Sequence, residues 1–326
     1  ELTGDESLVR RPMGRVAQPL MQMGASITTV NDRPPLHIKG NQPLHGIDYS
    51  MPVASAQVKS ALLLAGLYAE GETCVHEPAP TRDHTERMLS QFGVAINRTK
   101  DRFCLAPGQS LQAGTVAVPG DLSSAAFFLL AGCLAAPGGV LQMDGVGLNP
   151  TRTGILQILQ LMGADIQVEQ QSAKTPYAEP VGRLTVRPAT LRGIQVPPEL
   201  VPLAIDEFPL IFVAAALAEG ETLISGAEEL RHKESDRISV MLDGLRALGV
   251  EVEEKPDGAR IAGGGLGAGE VNSAGDHRVA MAFAIGGSVA RGPVSILDTA
   301  NVATSFPGFA DQVQDIGINL RVNTND

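Results

Sequence analysis

The sequence predicts an α/β (α+β) protein of two similar domains, assembled from a repeated unit of about 70 residues. The first observation is a recurring sequence motif that is typical of a helix, a capping glycine and a strand of alternating apolar and polar residues. It occurs at Gly24, Gly93, Gly163, Gly249 and Gly317, with spacings of 69, 70, 86 and 68 residues. The second observation is another recurring motif, typical of a strand that follows a turn. It begins at Gly71, Gly138, Gly220 and Gly292.

Each unit is predicted to contain, in order, an apolar helix, a strand, an amphipathic helix and further strands. The apolar helices correspond to the segments 55–69, 123–136, 206–219 and 276–290. Because these segments are apolar on nearly every side, we expect them to be buried within their domains. About four and a half units are recognisable, and the first, 11–30, corresponds to the second half of a unit. We therefore expect a further segment before the N-terminus of this chain.

The composition excludes several classes of function. A formal net charge of −11 argues against nucleic acid or an anionic membrane as a partner. The longest apolar run, 125–136, is too short to span a bilayer. The cysteines, Cys74, Cys104 and Cys133, form no C-x-x-C pair, so we expect no metal site, reduced thiols and a cytoplasmic location.

Charged and polar residues at the polar starts of the predicted helices are the candidates for function. They are Arg11, Ser55, Gln57, Arg82, Asp206, Lys233, Glu234, Arg237, His277 and Arg278. A helix N-terminus already attracts anions, and added arginines favour a ligand that carries phosphate and carboxylate groups. Ordinary structural roles remain open: Arg11 and Arg82 at helix starts, Asp206 as an N-cap, and His277 as a structural residue.

The stretch "RHKESDR", residues 231–237, raises a specific question about like charges. It opens a helical pattern formed by Ile238, Met241 and Leu245, among others. Lys233 and Arg237 are four residues apart, so they are predicted to share one helix face, where their like charges would repel each other. The stretch is either a solvated helix start or a pair of cations that share a negatively charged ligand.

Several motifs together resemble the EPSP synthase (3-phosphoshikimate 1-carboxyvinyltransferase) family. They are "LTGDESLVRRPMGR", "SAQVKSALLLAG", "TRDHTERML", "NPTRTG", "IDEFP", "LRHKESDR", "GDHRVAM" and "ATSFPGF", and they span residue 1 to about 320. The resemblance implies two pseudo-symmetric domains, each of three βαβαββ units (an inside-out α/β barrel), with the active site in the cleft between them. The domains would be 1–118, N-terminally incomplete, and 119–320, followed by a tail at 321–326.

The resemblance also implies an enzymatic reaction. The enolpyruvyl group of phosphoenolpyruvate would move to the 5-hydroxyl of shikimate 3-phosphate, with release of phosphate. This transferase belongs to the shikimate pathway of aromatic amino-acid and chorismate biosynthesis and is the target of glyphosate. The implied protein is a cytoplasmic monomer that uses no cofactor or metal and binds only these small-molecule substrates.

The matching motifs assign a role to each candidate residue. Arg11, Gln57, Arg237 and Arg278 would bind phosphoenolpyruvate, whereas Ser55, Gln57, Arg82, Asp206 and Lys233 would bind shikimate 3-phosphate. Asp206 would be the base at the 5-hydroxyl, Glu234 would transfer a proton at the methylene carbon, and His277 would support the site.

The sequence differs from the family pattern at several places, and two other functions remain open. The family's "LPGSKS"-type and "GNAGT"-type segments are absent from residues 1–326, so we expect this chain alone to be inactive. Ala56 and Ala300 stand where some members have serine and lysine. The alternatives are the related transferase that uses UDP-N-acetylglucosamine and a non-catalytic repeat scaffold.

Overall fold

The chain divides into two compact units. The structure is a computed structural model that describes residues 1–4, 6–135, 139–171 and 177–323. Unit 1 comprises residues 1–117 and 173–179, and unit 2 comprises residues 118–172 and 180–326. The predicted strand start at Gly138 and the last three residues of the predicted tail lie outside the described residues.

The described residues of unit 1 form four helices and eight short strands. Its elements are α1 (Glu6–Val9), α2 (Gly14–Gln22), β1 (Ser26–Val30), β2 (Arg33–Lys39), β3 (Leu44–His45), β4 (Asp48–Ser50), α3 (Ala56–Gly66), β5 (Ala69–Glu70), β6 (Thr73–His76), α4 (His84–Gln91), β7 (Ile96–Thr99) and β8 (Arg102–Leu105).

Unit 2 contains the larger number of elements. They are α5 (Leu122–Leu134), β9 (Leu141–Gly147), α6 (Gly154–Leu161), β10 (Asp165–Gln170), β11 (Val181–Arg187), α7 (Phe208–Leu217), β12 (Glu221–Ile224), α8 (Arg237–Ala247), β13 (Val252–Lys255), β14 (Gly258–Ala262), β15 (Gly269–Asn272), α9 (His277–Gly287), β16 (Val294–Leu297), α10 (Ala300–Ser305) and α11 (Phe309–Asp315). Short 3-10 turns lie at Pro198–Leu200, Ile205–Glu207 and Glu228–His232.

The sheets confirm the repeated unit. In unit 1, β4, α3, β6, α4, β7 and β8 follow one another along the chain, interrupted only by the two-residue β5. Their strands form a sheet of order β4-β6-β8-β7, in which β4 and β6 are parallel and the other pairs are antiparallel. This is a βαβαββ unit, and its parallel pair requires the crossover that α3 supplies.

Unit 2 repeats the same crossover around its apolar helices. Before α5, Gly120 forms a parallel bridge to Val146 of β9, and before α7, Gln195 forms one to Leu223 of β12. Around α9, β15 pairs with β16 in parallel. The sheets β10-β11-β9 and β12-β14-β13 are antiparallel and complete two of these units.

The recurring glycines end their helices as predicted. Gly24, Gly93, Gly163, Gly249 and Gly317 have φ angles of 103°, 84°, 97°, 80° and 89°. This left-handed conformation strains any residue with a Cβ atom. The strands that follow the first four are β1, β7, β10 and β13. The strand predicted after Gly317 is wrong, because residues 318–323 pair with no strand in the described part of the chain.

The prediction that the apolar helices are buried is confirmed for α5 and α7. Residues 208–216 of α7 are all buried, as are most residues of α5. They lie in the core of unit 2 with the apolar residues of α8 and α9. For α3 the prediction is wrong on one face: α3 packs against α2 and β6, and Leu64 remains 46% exposed because these contacts cover only one side.

The cysteines differ from the expectation of three reduced thiols. Cys74 on β6 and Cys104 on β8 are direct cross-strand partners and form a disulfide. Cys133 is a free, buried thiol, and burial raises its pKa to about 12. Among the described residues, the group with metal-ligand geometry is Glu72, Cys74 and Cys104, but the disulfide occupies both of its sulfur atoms.

Within the described ranges, no helix has both the length and the apolar character that crossing a membrane requires.

The capping role of Gly249 gives a test by substitution. Gly249→Ala should lower the free energy of unfolding by about 1 kcal/mol, because alanine is strained at positive φ. A Cβ at this position meets no atom within 4 Å, so the cost is conformational rather than steric. Urea unfolding measures it. The matched control is Gly40→Ala, where a Cβ also meets no atom within 4 Å and the φ is not positive. Equal effects of the two substitutions would contradict the capping role.

Candidate active site

The residues predicted from sequence to form the site fall into two groups, one in each unit. Unit 1 contains Arg11, Ser55, Gln57 and Arg82, and unit 2 contains Asp206, Lys233, Glu234, Arg237, His277 and Arg278. As predicted, each lies at or just before the start of a helix or of a 3-10 turn that leads into one.

Arg237 is the buried centre of the unit 2 group. It is the first residue of α8 and is only 2% exposed. Its Nε donates to Asp276 Oδ2 at 2.7 Å, and its Nη2 donates to Glu234 Oε2 at 2.7 Å. Its Nη1 is buried and has no hydrogen-bond partner among the described residues. A bound anion would supply the acceptor that this nitrogen lacks.

Asp276, which the sequence analysis did not assign, holds Arg237 in place. Its side chain is fully buried and caps α9 by accepting from the backbone N–H groups of Arg278 and Val279, while Ser235 donates its hydroxyl to it. Burial by itself would raise the pKa of this carboxyl, but the Arg237 guanidinium and the helix N–H groups outweigh burial and lower the pKa. An Asp directly before an apolar helix was the available sequence signal.

Asp206 lies among the cations of the same group. Its Oδ1 is 3.5 Å from Lys233 Nζ and 3.9 Å from Arg237 Nη1. Lys233 Nζ also lies 2.5 Å from Glu229 Oε1. In addition, Arg278 Nη1 donates to the backbone carbonyl of Asp206 at 3.2 Å. The arrangement brings a carboxylate and three cations together, although they are distant in sequence.

The expectation that Lys233 and Arg237 share one helix face is wrong. Helix α8 begins at Arg237, and Asp236 caps it by accepting from the backbone N–H of Ser239. Lys233 precedes the helix and has an extended conformation. Both cations nevertheless approach Asp206, so a shared carboxylate, and not helix periodicity, places them together.

The N-cap role that the sequence left open for Asp206 is not observed at α7. Asp206 lies in the 3-10 turn Ile205–Glu207 that leads into α7, and no side chain caps α7. His277 opens α9, and burial together with the neighbouring Arg278 lowers its pKa, so its neutral form is favoured near neutral pH. The contacts of Asp206 with Lys233 and Arg237, rather than helix capping, suit a carboxylate base.

In unit 1, Ser55 and Gln57 occupy the first turn of α3. Ser55 caps the helix by accepting from the backbone N–H of Val58 at 3.3 Å. Gln57 is exposed, and its Oε1 accepts from Arg15 Nη2 at 2.8 Å. Arg15 follows Arg11 in "RRPMGR" and was not singled out from the sequence. Arg82 lies just before α4, in a segment without regular structure.

A buried lysine fixes the segment that carries Arg82. Lys59 of α3 is 0% exposed, and its Nζ lies 2.8 Å from Glu77 Oε2 and 2.6 Å from Glu86 Oε1. The same Nζ lies 4.3 Å from the centre of the Phe103 ring. Glu77 and Glu86 bracket the segment on both sides of Arg82. The motif "SAQVKSA" contains this lysine, but its burial was not evident from the sequence.

Two cavities in unit 2 contain none of these residues. One is lined by Cys133 and Arg187, among others, and the other by Phe128 and Phe306. The second cavity is largely apolar, and the first contains a single arginine, so neither offers the convergent cations of the group around Arg237.

Comparison with known proteins identifies the relatives of this chain. The family model described as EPSP synthase (3-phosphoshikimate 1-carboxyvinyltransferase) matches residues 1–313. The chain is 60% identical over 321 residues to a 3-phosphoshikimate 1-carboxyvinyltransferase of Acidithiobacillus ferrooxidans, covering 98% of this chain and 73% of that protein. The corresponding protein of Coxiella burnetii is 52% identical over 320 residues, covering 98% and 72%.

The fold matches solved structures of proteins with the same name. An EPSP synthase structure from Acinetobacter baumannii superimposes with a TM-score of 0.90 at 48% identity, covering 98% of this chain and 74% of that one. A second structure from the same organism gives a TM-score of 0.89 at 46% identity. The similarity confirms the predicted α/β class and the predicted family.

The Asp276 carboxylate predicts a pH-dependent stability. Asp276→Asn should lower the free energy of unfolding at pH 7 by about 3 kcal/mol, because Arg237 then lacks its buried counter-charge. Since the pKa of Asp276 is below its ordinary value of 3.8, its contribution is present above that value and is lost as the pH falls below it. The gap between wild type and variant should therefore narrow in acid. Urea unfolding from pH 7 to 3 measures it, with the exposed Asp311→Asn as control; a gap independent of pH would contradict the prediction.

Lys59 gives a second stability test. Lys59→Met should lower the free energy of unfolding by about 3–5 kcal/mol, because Glu77 and Glu86 lose their buried cation. The exposed Lys39→Met is the matched control and should change stability by less than about 0.5 kcal/mol. If both variants unfold at the same urea concentration, Lys59 does not stabilise unit 1 through these contacts.

Proposed function

The chain belongs to the EPSP synthase family, and we propose that it transfers the enolpyruvyl group of phosphoenolpyruvate to the 5-hydroxyl of shikimate 3-phosphate through the residues described above. The observation that carries the assignment of roles is the buried Arg237, whose Nη1 has no acceptor among the residues that the structure describes, while its other nitrogens are fixed by Asp276 and Glu234. A guanidinium held in this way is preorganised for an anionic ligand, since no side-chain ordering remains to be done on binding.

Both substrates carry a phosphate and a carboxylate, and this accounts for the choice of residues. The phosphoenolpyruvate contacts are assigned to Arg11, Gln57, Arg237 and Arg278, and the shikimate 3-phosphate contacts to Ser55, Gln57, Arg82, Asp206 and Lys233. A chain with a net charge of −11 repels such ligands at long range. Local arginines and lysines overcome this repulsion at the site, because each offers charge-assisted hydrogen bonds.

The reaction needs one group to remove a proton from oxygen and another to exchange a proton with carbon. Asp206 takes the proton of the 5-hydroxyl as the oxygen attacks the carbon that bears the phosphate, while Glu234 delivers a proton to the methylene carbon. The tetrahedral adduct then loses a proton from the new methyl group and expels phosphate, which restores the double bond. Lys233 and Arg237, both near Asp206 Oδ1, stabilise the negative charge that accumulates.

His277 supports this arrangement as a neutral residue. Burial and the neighbouring Arg278 lower the pKa of His277, which favours its uncharged form near neutral pH, although it opens the same helix as Arg278. We also propose a monomer in the cytoplasm. Support for this location comes from the phosphorylated substrates, which are soluble metabolites. The Cys74–Cys104 disulfide runs against it, because such bonds are uncommon in reducing compartments.

The alternative acceptor, UDP-N-acetylglucosamine, is disfavoured by the relatives at 52–60% identity, whose names specify the 3-phosphoshikimate reaction. A non-catalytic scaffold would not need cations that are buried and ion-paired next to a carboxylate. The two transferase reactions are distinguished by measuring which acceptor, shikimate 3-phosphate or UDP-N-acetylglucosamine, supports turnover. A scaffold would support turnover with neither.

Phosphate release from phosphoenolpyruvate tests the proposal in the protein that carries this chain. Release should require shikimate 3-phosphate and should not occur with UDP-N-acetylglucosamine. Asp206→Asn and Glu234→Gln should each lower kcat by about 10²–10⁴-fold, because each removes a group that transfers a proton. The exposed Asp243→Asn, whose carboxylate pairs with Arg246 on the surface, is the control and should leave kcat unchanged. Full activity of either site variant would contradict its assigned role.

A further inference from the structure

Glu207 is a buried carboxyl group that the proposed mechanism does not use. It follows Asp206 directly and is 6% exposed. Its Oε1 accepts a short hydrogen bond from the hydroxyl of Ser123 and lies 3.8 Å from Arg278 Nη1. Burial is the largest influence on this carboxyl and raises its pKa, against the opposing effects of Ser123 and Arg278. Burial of a carboxyl group costs free energy, so the polar contacts of Glu207 indicate a role other than packing.

Glu207 is itself held by a chain of polar contacts from elsewhere in unit 2. The Ser123 hydroxyl accepts a short hydrogen bond from Arg152 Nη2, and Arg152 Nη1 lies 3.2 Å from Asp121 Oδ1. Ser123 is 2% exposed. Arg152 is the arginine of "NPTRTG", a motif that carries the family resemblance but received no role. The contacts thus connect the start of α5 and the turn before α6 to Glu207.

Arg278 is oriented by a backbone carbonyl and a carboxylate on one 3-10 turn. Its Nη1 donates to the backbone carbonyl of Asp206 and faces the carboxylate of Glu207. In the part of the chain that the structure describes, Nη1 is the side-chain nitrogen of Arg278 that makes polar contacts, which leaves Nε and Nη2 for a bound anion. A hydrogen bond and a nearby carboxylate on the same nitrogen restrict the direction of the planar guanidinium group.

We propose that Glu207, held by Ser123 and Arg152, is a positioning residue that orients Arg278 toward phosphoenolpyruvate. This rests on the proposed function, in which Arg278 binds that substrate. Glu207 touches no reacting atom in this scheme. Its role is to hold one end of the guanidinium so that the other end meets the ligand without a further loss of side-chain freedom.

Steady-state kinetics of Glu207→Gln test the proposal, with both substrates varied in turn. Glutamine keeps the size of the side chain and an oxygen for Ser123, but removes the charge that faces Arg278. The KM for phosphoenolpyruvate should rise about 10-fold, as expected for loss of a buried charge partner that helps to orient Arg278. The KM for shikimate 3-phosphate should stay within about 2-fold, since Arg278 is not assigned to it. The control is Glu199→Gln, an exposed glutamate of the same unit, which should change neither constant.

Ser123→Ala provides a second, milder variant in case Glu207→Gln folds poorly. Loss of the hydroxyl frees Glu207 and Arg152, so the KM for phosphoenolpyruvate should rise about 3-fold without a change for shikimate 3-phosphate. Equal increases in both KM values, or unchanged KM values together with a lower unfolding temperature, would show a purely structural role and overturn the proposal. If Arg278→Gln also leaves phosphoenolpyruvate binding unchanged, the assignment of Arg278 fails first; if only the Glu207 and Ser123 variants are silent, the positioning role alone fails.

Discussion

The buried ion pair between Arg237 and Asp276 is the contact on which the described part of the site depends. Transfer of a guanidinium and a carboxylate out of water costs several kcal/mol for each ion. The pair is tolerated because Asp276 also accepts from Ser235 and from the first N–H groups of α9, so nearly all of its acceptor capacity is used. Residues 39 positions apart are thereby fixed to each other, and the starts of α8 and α9 are fixed with them.

Both units place a buried cation near the start of a helix and surround it with carboxylates. In unit 2 the cation is Arg237, between Asp276 and Glu234. In unit 1 it is Lys59, between Glu77 and Glu86. The two cations differ in the hydrogen-bonding capacity that is left for a ligand. The Lys59 ammonium is in contact with both carboxylates and an aromatic ring, whereas one nitrogen of Arg237 has no acceptor among the described residues. Lys59 therefore serves the stability of its unit, and Arg237 is suited to a ligand.

The sequence predicted the parts of the fold that depend on local chemistry. Glycines at helix ends, apolar segments and alternating strands each report the conformation of a few neighbouring residues, and the structure confirms them at Gly24, Gly93, Gly163 and Gly249. Two of the errors concern partners that are distant in sequence. No strand in the described part of the chain pairs with residues 318–323, and the cysteines of β6 and β8 meet only because the two strands align in register.

The sequence by itself determined the repeated unit, the helix starts that carry the charges, and the family to which the motifs belong. Only the tertiary structure decided which charges are buried and which partners they have. Lys233 and Arg237 were predicted to share a helix face, but they approach each other through Asp206, and Asp276, Glu207 and Lys59 were not assigned at all. The physical reason is that helix and turn propensities act over a few residues, whereas the burial of a charge depends on every element that packs around it.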